Sequence, residues 1–253
     1  MRVAVEAVIV SGLGAMVGSF LNVVAYRVPR GESVVTPRSR CPGCDTAISP
    51  RDNIPVVSWL NLRGRCRGCG ERISPRYPVT EAVTAVAFAA VVLARGLDEG
   101  LLLALPFTAM LIAVASVDLE HRIVPNKILL PAAVWAIGVG CLIDLDAMPE
   151  RVAAGAGAFG FLLVAALAYP AGMGMGDVKL AGVMGLYLGL SVIPALMAAF
   201  VAGTVVGLVV MLREGAAARK QGVPFAPFLA LGGLVGLLAG SELIDLYVDR
   251  FLS

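Results

Sequence analysis

Apolar residues run along this chain in long blocks, broken by short polar intervals rich in arginine, glycine and proline. The blocks cover about 3–26, 79–94, 101–117, 124–143, 152–170, 176–190, 192–212 and 225–247. A helix crosses a hydrocarbon core with roughly 20 residues, in a range of about 17–25. Within these blocks the apolar residues go all the way round a helix, which suits a helix bathed in lipid or in other helices. The pattern predicts an all-α polytopic membrane protein with about eight transmembrane helices. Several blocks are short or carry Gly or Pro, so the count has a margin of one. The one sizeable polar interval, residues 27–78, is predicted as a small soluble domain.

Composition agrees with the pattern. The chain is 58% hydrophobic and 15% charged, with mean hydropathy +0.87, too little charge to cover a soluble domain of this length. The position of the charges says more than the net value of +2. With the N-terminus outside, sixteen of the 20 Lys and Arg residues fall in inner loops. Ten of them are the arginines of the interval 27–78, and others are Arg122, Lys127, Lys179, Arg213, Arg219 and Lys220. Positive residues accumulate on the cytoplasmic side. Both termini are therefore expected outside, with the interval 27–78 in the cytoplasm. The first block lacks a basic leading segment and ends in "NVVAYRVPR", so it reads as a retained anchor over residues 1–26.

The cytoplasmic interval holds four of the five cysteines, as "CPGC" at Cys41 and Cys44 and "CRGC" at Cys66 and Cys69. Two C-x-x-C knuckles can aim four thiolates at one ion, and a closed four-sulfur shell is a structural zinc site with no open position for catalysis. The reducing cytosol favours metal over disulfides. An interval of this size with few large apolar residues cannot build a core unaided, so a zinc-ribbon-like staple is expected. Cys141 stands alone in an apolar block and reads as a small packing residue. "GTVVG" at Gly203 and Gly207 reads as close helix packing. The arginines suit topology and contact with lipid phosphates, or recognition of an anionic cofactor or partner. With Trp59 and Tyr77 the only large aromatic residues between them, nucleic-acid binding is not expected.

Two acids stand at the edges of apolar blocks, Asp118 in "IAVASVDLEHRIVPN" and Asp177 in "GMGMGDVKL". An acid in hydrocarbon is expensive and usually functional. By the topology above both arrive at the inner face, one at the end of its span and one at the start. Two carboxylates a few ångströms apart share a proton, so one can act as base on a water while the other donates to a carbonyl. Glycines 172, 174 and 176 would let the backbone open beside the second acid. A proton-coupled transporter also places acids near glycine-broken helices, though at the midplane and within an inverted repeat. A membrane-anchored zinc-ribbon scaffold would explain the cysteines and leave the acids without purpose.

The motifs together resemble the type IV prepilin peptidases. "GSFLNVVAYRVPRG" (Gly18 to Gly31), the paired knuckles, "ISPRYPVTE", "DLEHRIVPN", "GMGDVKL" and "PFAPFLALGG" match the family's signatures across nearly the whole chain. The last is usually written with Gly where this chain has Ala226. The resemblance implies an inner-membrane enzyme with Asp118 and Asp177 as catalytic aspartates. It would cut the basic leader from type IV prepilins and type II secretion pseudopilins, then methylate the new N-terminal residue with S-adenosylmethionine. The tetracysteine segment 27–78 is implied in the methyl transfer, and residues 79–253 form the peptidase domain. Asn22, Arg27 and Glu81, where the first two spans meet the loop, are candidates for cofactor binding, with helix-end anchoring as the other reading.

Overall fold

The computed structural model describes residues 2–169, 172–214 and 224–251, and among these the chain is helical, with two isolated β-bridges and no strand. Arg219 and Lys220, counted above among the inner charges, lie outside the described residues. Seven described stretches are long and apolar enough to cross a membrane. One of them, Met175–Arg213, is 39 residues long and holds two of the predicted spans. It breaks at a 3-10 turn, Gly189–Ser191, where Gly189 takes a φ of 57°. Such a φ suits glycine and stops the helix. The chain divides into two compact units, Met1–Leu97 and Asp98–Ser253.

The first unit is a hairpin of α1 (Arg2–Arg27) and α3 (Arg76–Arg95), with the cysteine-bearing loop between them. Close approach explains why α1 carries glycine at 14 and 18. A Cβ on Gly14 would stand 2.8 Å from the Thr84 carbonyl, and one on Gly18 would stand 2.7 Å from the Glu81 Cα. Small residues that let backbones touch are how helices associate without a hydrophobic drive from water. Val5, Val8, Ile9, Met16 and Phe20 face outward, as lipid-facing residues do. The sequence reading ended the loop segment at 78; α3 packs along α1, and the compact unit runs on to Leu97. The loop itself carries a 3-10 turn at Pro50–Asp52 and one short helix, α2 (Val57–Asn61).

The second unit is a bundle of α4 (Leu101–His121), α5 (Asn126–Ile143), α6 (Met148–Ala168), α7 (Met175–Leu188), α8 (Val192–Glu214) and α9 (Ala226–Phe251). α4 is the most buried, with Phe107, Leu111, Val114 and Val117 fully enclosed. At 1.5 Å per residue α7 is only about 21 Å long, shorter than the hydrocarbon core. Eight of its fourteen residues are nonetheless buried, against α6, α5, α9 and α4. Gly185 makes that possible: a Cβ there would lie 2.5 Å from the Gly155 Cα of α6. α9 meets the preceding turn and α8 through Gly232, Gly236 and Gly240. The small-residue pair anticipated in α8 is half present, since Gly203 lies under Phe225 and Gly207 has open space. Cys141 lies on the exposed face of α5, not in the packing expected for it.

Candidate active site and metal centre

Asp118 and Asp177 both lie in the second unit, and both are buried, with 5% and 9% of their surface exposed. Asp118 is the fourth residue from the end of α4, and Asp177 is the third residue of α7. Helix α4 stops just after the acid. Arg122 takes a left-handed φ of 54° and its N–H returns to the Asp118 carbonyl at 2.9 Å. The chain then extends through Val124 and Pro125 into α5. This turn is where α7 begins. Gly176 sits against Val124 so closely that a Cβ would fall 2.7 Å from the valine Cβ. Asn126 Oδ1 accepts a hydrogen bond from Lys179 Nζ at 3.2 Å, a further tie between the segments that carry the two acids.

These contacts bring together the ends of the two helices that carry the acids. Asp118 Oδ2 also accepts the backbone N–H of Ala226, at 3.2 Å, where α9 begins. Gly174, one turn before the second acid, lies against its Oδ2, where a Cβ would stand at an ordinary contact distance of 3.5 Å. The arrangement is a pair of buried carboxylates, one of them held by a backbone N–H. His121, three residues past Asp118, keeps its Nε2 sealed without a hydrogen bond.

The four cysteines of the first unit converge. Their sulfurs all lie within 4.8 Å of one another, with Cys41–Cys69 at 3.7 Å and Cys44–Cys66 at 4.0 Å. A tetrahedral zinc with bonds of about 2.3 Å has sulfur–sulfur edges of about 3.8 Å. Donor type, number and spacing therefore fit the ion. Each knuckle is shaped alike. Cys41 N–H bonds the Thr46 carbonyl and Cys66 N–H the Glu71 carbonyl; Asp45 and Gly70 return to Cys41 and Cys66 from left-handed φ values of 53° and 73°. The Gly68 N–H donates to Cys66 Sγ at 3.4 Å, and the Thr46 side chain, its first cause, draws the Cys44 thiol down to about 7. Donors of this kind favour the thiolates a metal needs.

The likeness of the knuckles extends beyond them. Arg-Cys-x-Gly-Cys followed by Ile-Ser-Pro-Arg occurs at 40–51 and again at 65–76. The first copy leads into the 3-10 turn, the second into α3. Asp52, just past the first copy, holds Arg67 of the second in a two-pronged ion pair, 2.7 and 2.9 Å, which keeps the Asp52 carboxyl below its usual value. This duplication is legible in the sequence itself, as a repeated Cys-x-Gly-Cys with its Ile-Ser-Pro-Arg arm.

Asn22, Arg27 and Glu81 are found on the α1–α3 hairpin, each engaged with backbone. Asn22 Nδ2 donates to the Tyr77 carbonyl at 3.1 Å. The Arg27 guanidinium donates to the carbonyls of Ser33 and Pro37, at 2.9 and 2.8 Å. Glu81 accepts from the Val56 N–H at 2.7 Å. Arg27 and Glu81 tie the loop to the hairpin, and Asn22 ties its two helices to each other.

Two descriptions of known families match this chain, a bacterial peptidase A24 N-terminal domain over residues 13–95 and the type IV leader peptidase family over 105–212. Curated proteins called prepilin leader peptidase/N-methyltransferase are similar over most of their length. The one from Bacillus subtilis is 35% identical over 240 residues, 94% of this chain and 96% of its own. That of Aeromonas hydrophila is 34% identical over 269 residues, 94% and 92% of the two chains. That of Pseudomonas aeruginosa is 32% identical over 268 residues, 94% and 91%. No solved structure matches the chain.

Proposed function

The chain belongs to the type IV leader peptidase family, and on that premise we propose that it cuts the basic leader from type IV prepilins and type II secretion pseudopilins and N-methylates the new terminus. It is a multi-pass membrane protein and an aspartic endopeptidase with methyltransferase activity, for which S-adenosylmethionine is the methyl donor. The observation that carries the peptidase half is the pair Asp118 and Asp177, both buried, each at a helix end, on segments that touch at Val124 and Gly176. A proton-coupled transporter would place its acids at the bilayer midplane, within an inverted repeat.

In the mechanism we propose, the pair holds one proton between them and titrates as a unit. Ala226 N–H donates to Asp118 Oδ2. The ionised carboxylate takes a proton from water, and the water oxygen attacks the scissile carbonyl carbon. The neutral acid donates a hydrogen bond to the carbonyl oxygen as it gains charge. Collapse expels the amine, which receives a proton from the pair, so both acids return to their starting state.

Cys41, Cys44, Cys66 and Cys69 would hold a structural zinc, and a four-sulfur shell supplies folding energy and no Lewis acid. Residues 27–78 are assigned to the cytoplasm, with methyl transfer, and 79–253 chiefly to the peptidase, after a first transmembrane helix at 1–26. Both termini face outward in an inner membrane if α7 and α8 each cross it. The arginines of the loop then meet lipid phosphates, and the positive leader of the substrate stays beside the acids. Nucleic acid has no part in this account. Detergent-solubilised protein incubated with a prepilin and S-adenosylmethionine tests it: mass spectrometry is expected to find the leader removed and one methyl group added. Uptake of a solute by proteoliposomes, with the prepilin left whole, would overturn it.

A further inference from the structure

Glu81 is the one buried acid of the first unit, 8% exposed, and it stands one turn inside α3. Its Oε2 accepts the Val56 N–H. Its other oxygen has no partner among the described residues and is not sealed from solvent. The loop packed over it is rich in arginine, yet the ion pairs seen there are Arg67 with Asp52 and Arg40 with Asp45, and no arginine reaches Glu81. This carboxylate has one backbone donor and no cation beside it, whereas buried charges are normally paired. A glutamine would accept the same N–H, so what an acid adds at this position is its charge.

The backbone Glu81 holds is itself unusual. Val57 N–H bonds the Pro55 carbonyl at 2.6 Å, closing a γ-turn with Val56 at its centre, at φ 60° and ψ −51°. This is the rarer and more strained of the two γ-turns, and it falls on a β-branched residue. Strain of this kind persists where the surroundings over-determine it, commonly at ligand sites. Ser58 supports the turn from the other side, accepting the Ile54 N–H and donating to the Arg51 carbonyl.

Resting on the methyltransferase half of the reading above, we infer that Glu81 binds the cationic centre of methyl transfer, a compact organic cation beside the Val56 turn. Two such cations take part, the sulfonium of the donor and the ammonium of the acceptor. The test uses the full-length zinc-loaded protein and a peptide that already begins with the residue a cut prepilin exposes, so cleavage does not enter. Wild type methylating that peptide establishes the activity independently. Glu81→Gln keeps the acceptor for Val56 N–H and removes the charge; its kcat/KM for methylation is expected to fall about tenfold or more, the weight of a charge-assisted hydrogen bond. A sulfonium partner shows as loss of the preference for S-adenosylmethionine over the uncharged S-adenosylhomocysteine in equilibrium dialysis. An ammonium partner shows as a raised KM for the peptide with donor binding unchanged. Val56→Gly, which adopts a positive φ without strain, supplies a background in which the turn no longer depends on Glu81, and Glu81→Gln must remain deficient there. Wild-type methylation by Glu81→Gln, in either background, would overturn the inference.

Discussion

Gly176 has no side chain because Val124 stands where one would go. That contact sets how near the start of α7 comes to the end of α4, and so how near Asp177 comes to Asp118. Gly176→Val is expected to push the two segments apart and lower leader cleavage about a hundredfold, since a displacement near 1 Å can cost that much. Methylation of a pre-cut peptide by the same variant checks that the first unit is intact. Both aspartates were legible in the sequence, because an acid inside an apolar block is conspicuous. The Ala226 contact to Asp118 was not, since a backbone amide leaves no residue signature. A side chain larger than alanine at this fully buried position is expected to cost about 1–3 kcal/mol through overpacking, measured as a lowered midpoint of thermal unfolding in detergent; Ala226→Gly should keep the N–H and the cleavage.

Elements show the same mixture. The apolar blocks announced the helices, but their crossings depend on pairs of glycines, such as Gly155 with Gly185, whose partner no local pattern reveals. Pro106 inside α4 has no N–H for the Leu102 carbonyl one turn back, and Trp135 of α5 donates its indole N–H to that carbonyl at 2.7 Å. Trp135→Phe leaves the carbonyl unpaired, with an expected loss of about 0.6–1.7 kcal/mol, the range seen for hydrogen bonds between membrane helices; thermal unfolding reads it. In the loop, the spacing of the cysteines gave the ligand set, while the paired Ile-Ser-Pro-Arg arms explain how the two knuckles come to be built alike. Cys41→Ser or Cys66→Ser should lose zinc by atomic absorption, and because bound thiolates compete with protons, the intact site should release its metal as pH falls.

The molecule as a whole comprises two compact units, and on the proposed reading each carries one of the two chemistries. The zinc knuckles, the strained turn and Glu81 belong to the first, the paired aspartates to the second. Zinc loss should therefore impair methylation more than cleavage, measured as two rates on one preparation. Equal loss of both would mean that the loop supports the peptidase as well. Sequence gave the membrane class and the division of motifs, since hydrocarbon imposes long apolar blocks. It could not give the packing of α7, which is shorter than a span and is enclosed by its neighbours instead.

The most direct measurement is leader cleavage by Asp118→Asn and Asp177→Asn, each beside wild type, with methylation of a pre-cut peptide measured on the same samples. Each substitution should reduce cleavage by roughly 10²–10⁴-fold or abolish it while methylation continues. Cleavage at the wild-type rate by either variant would contradict the shared-proton pair.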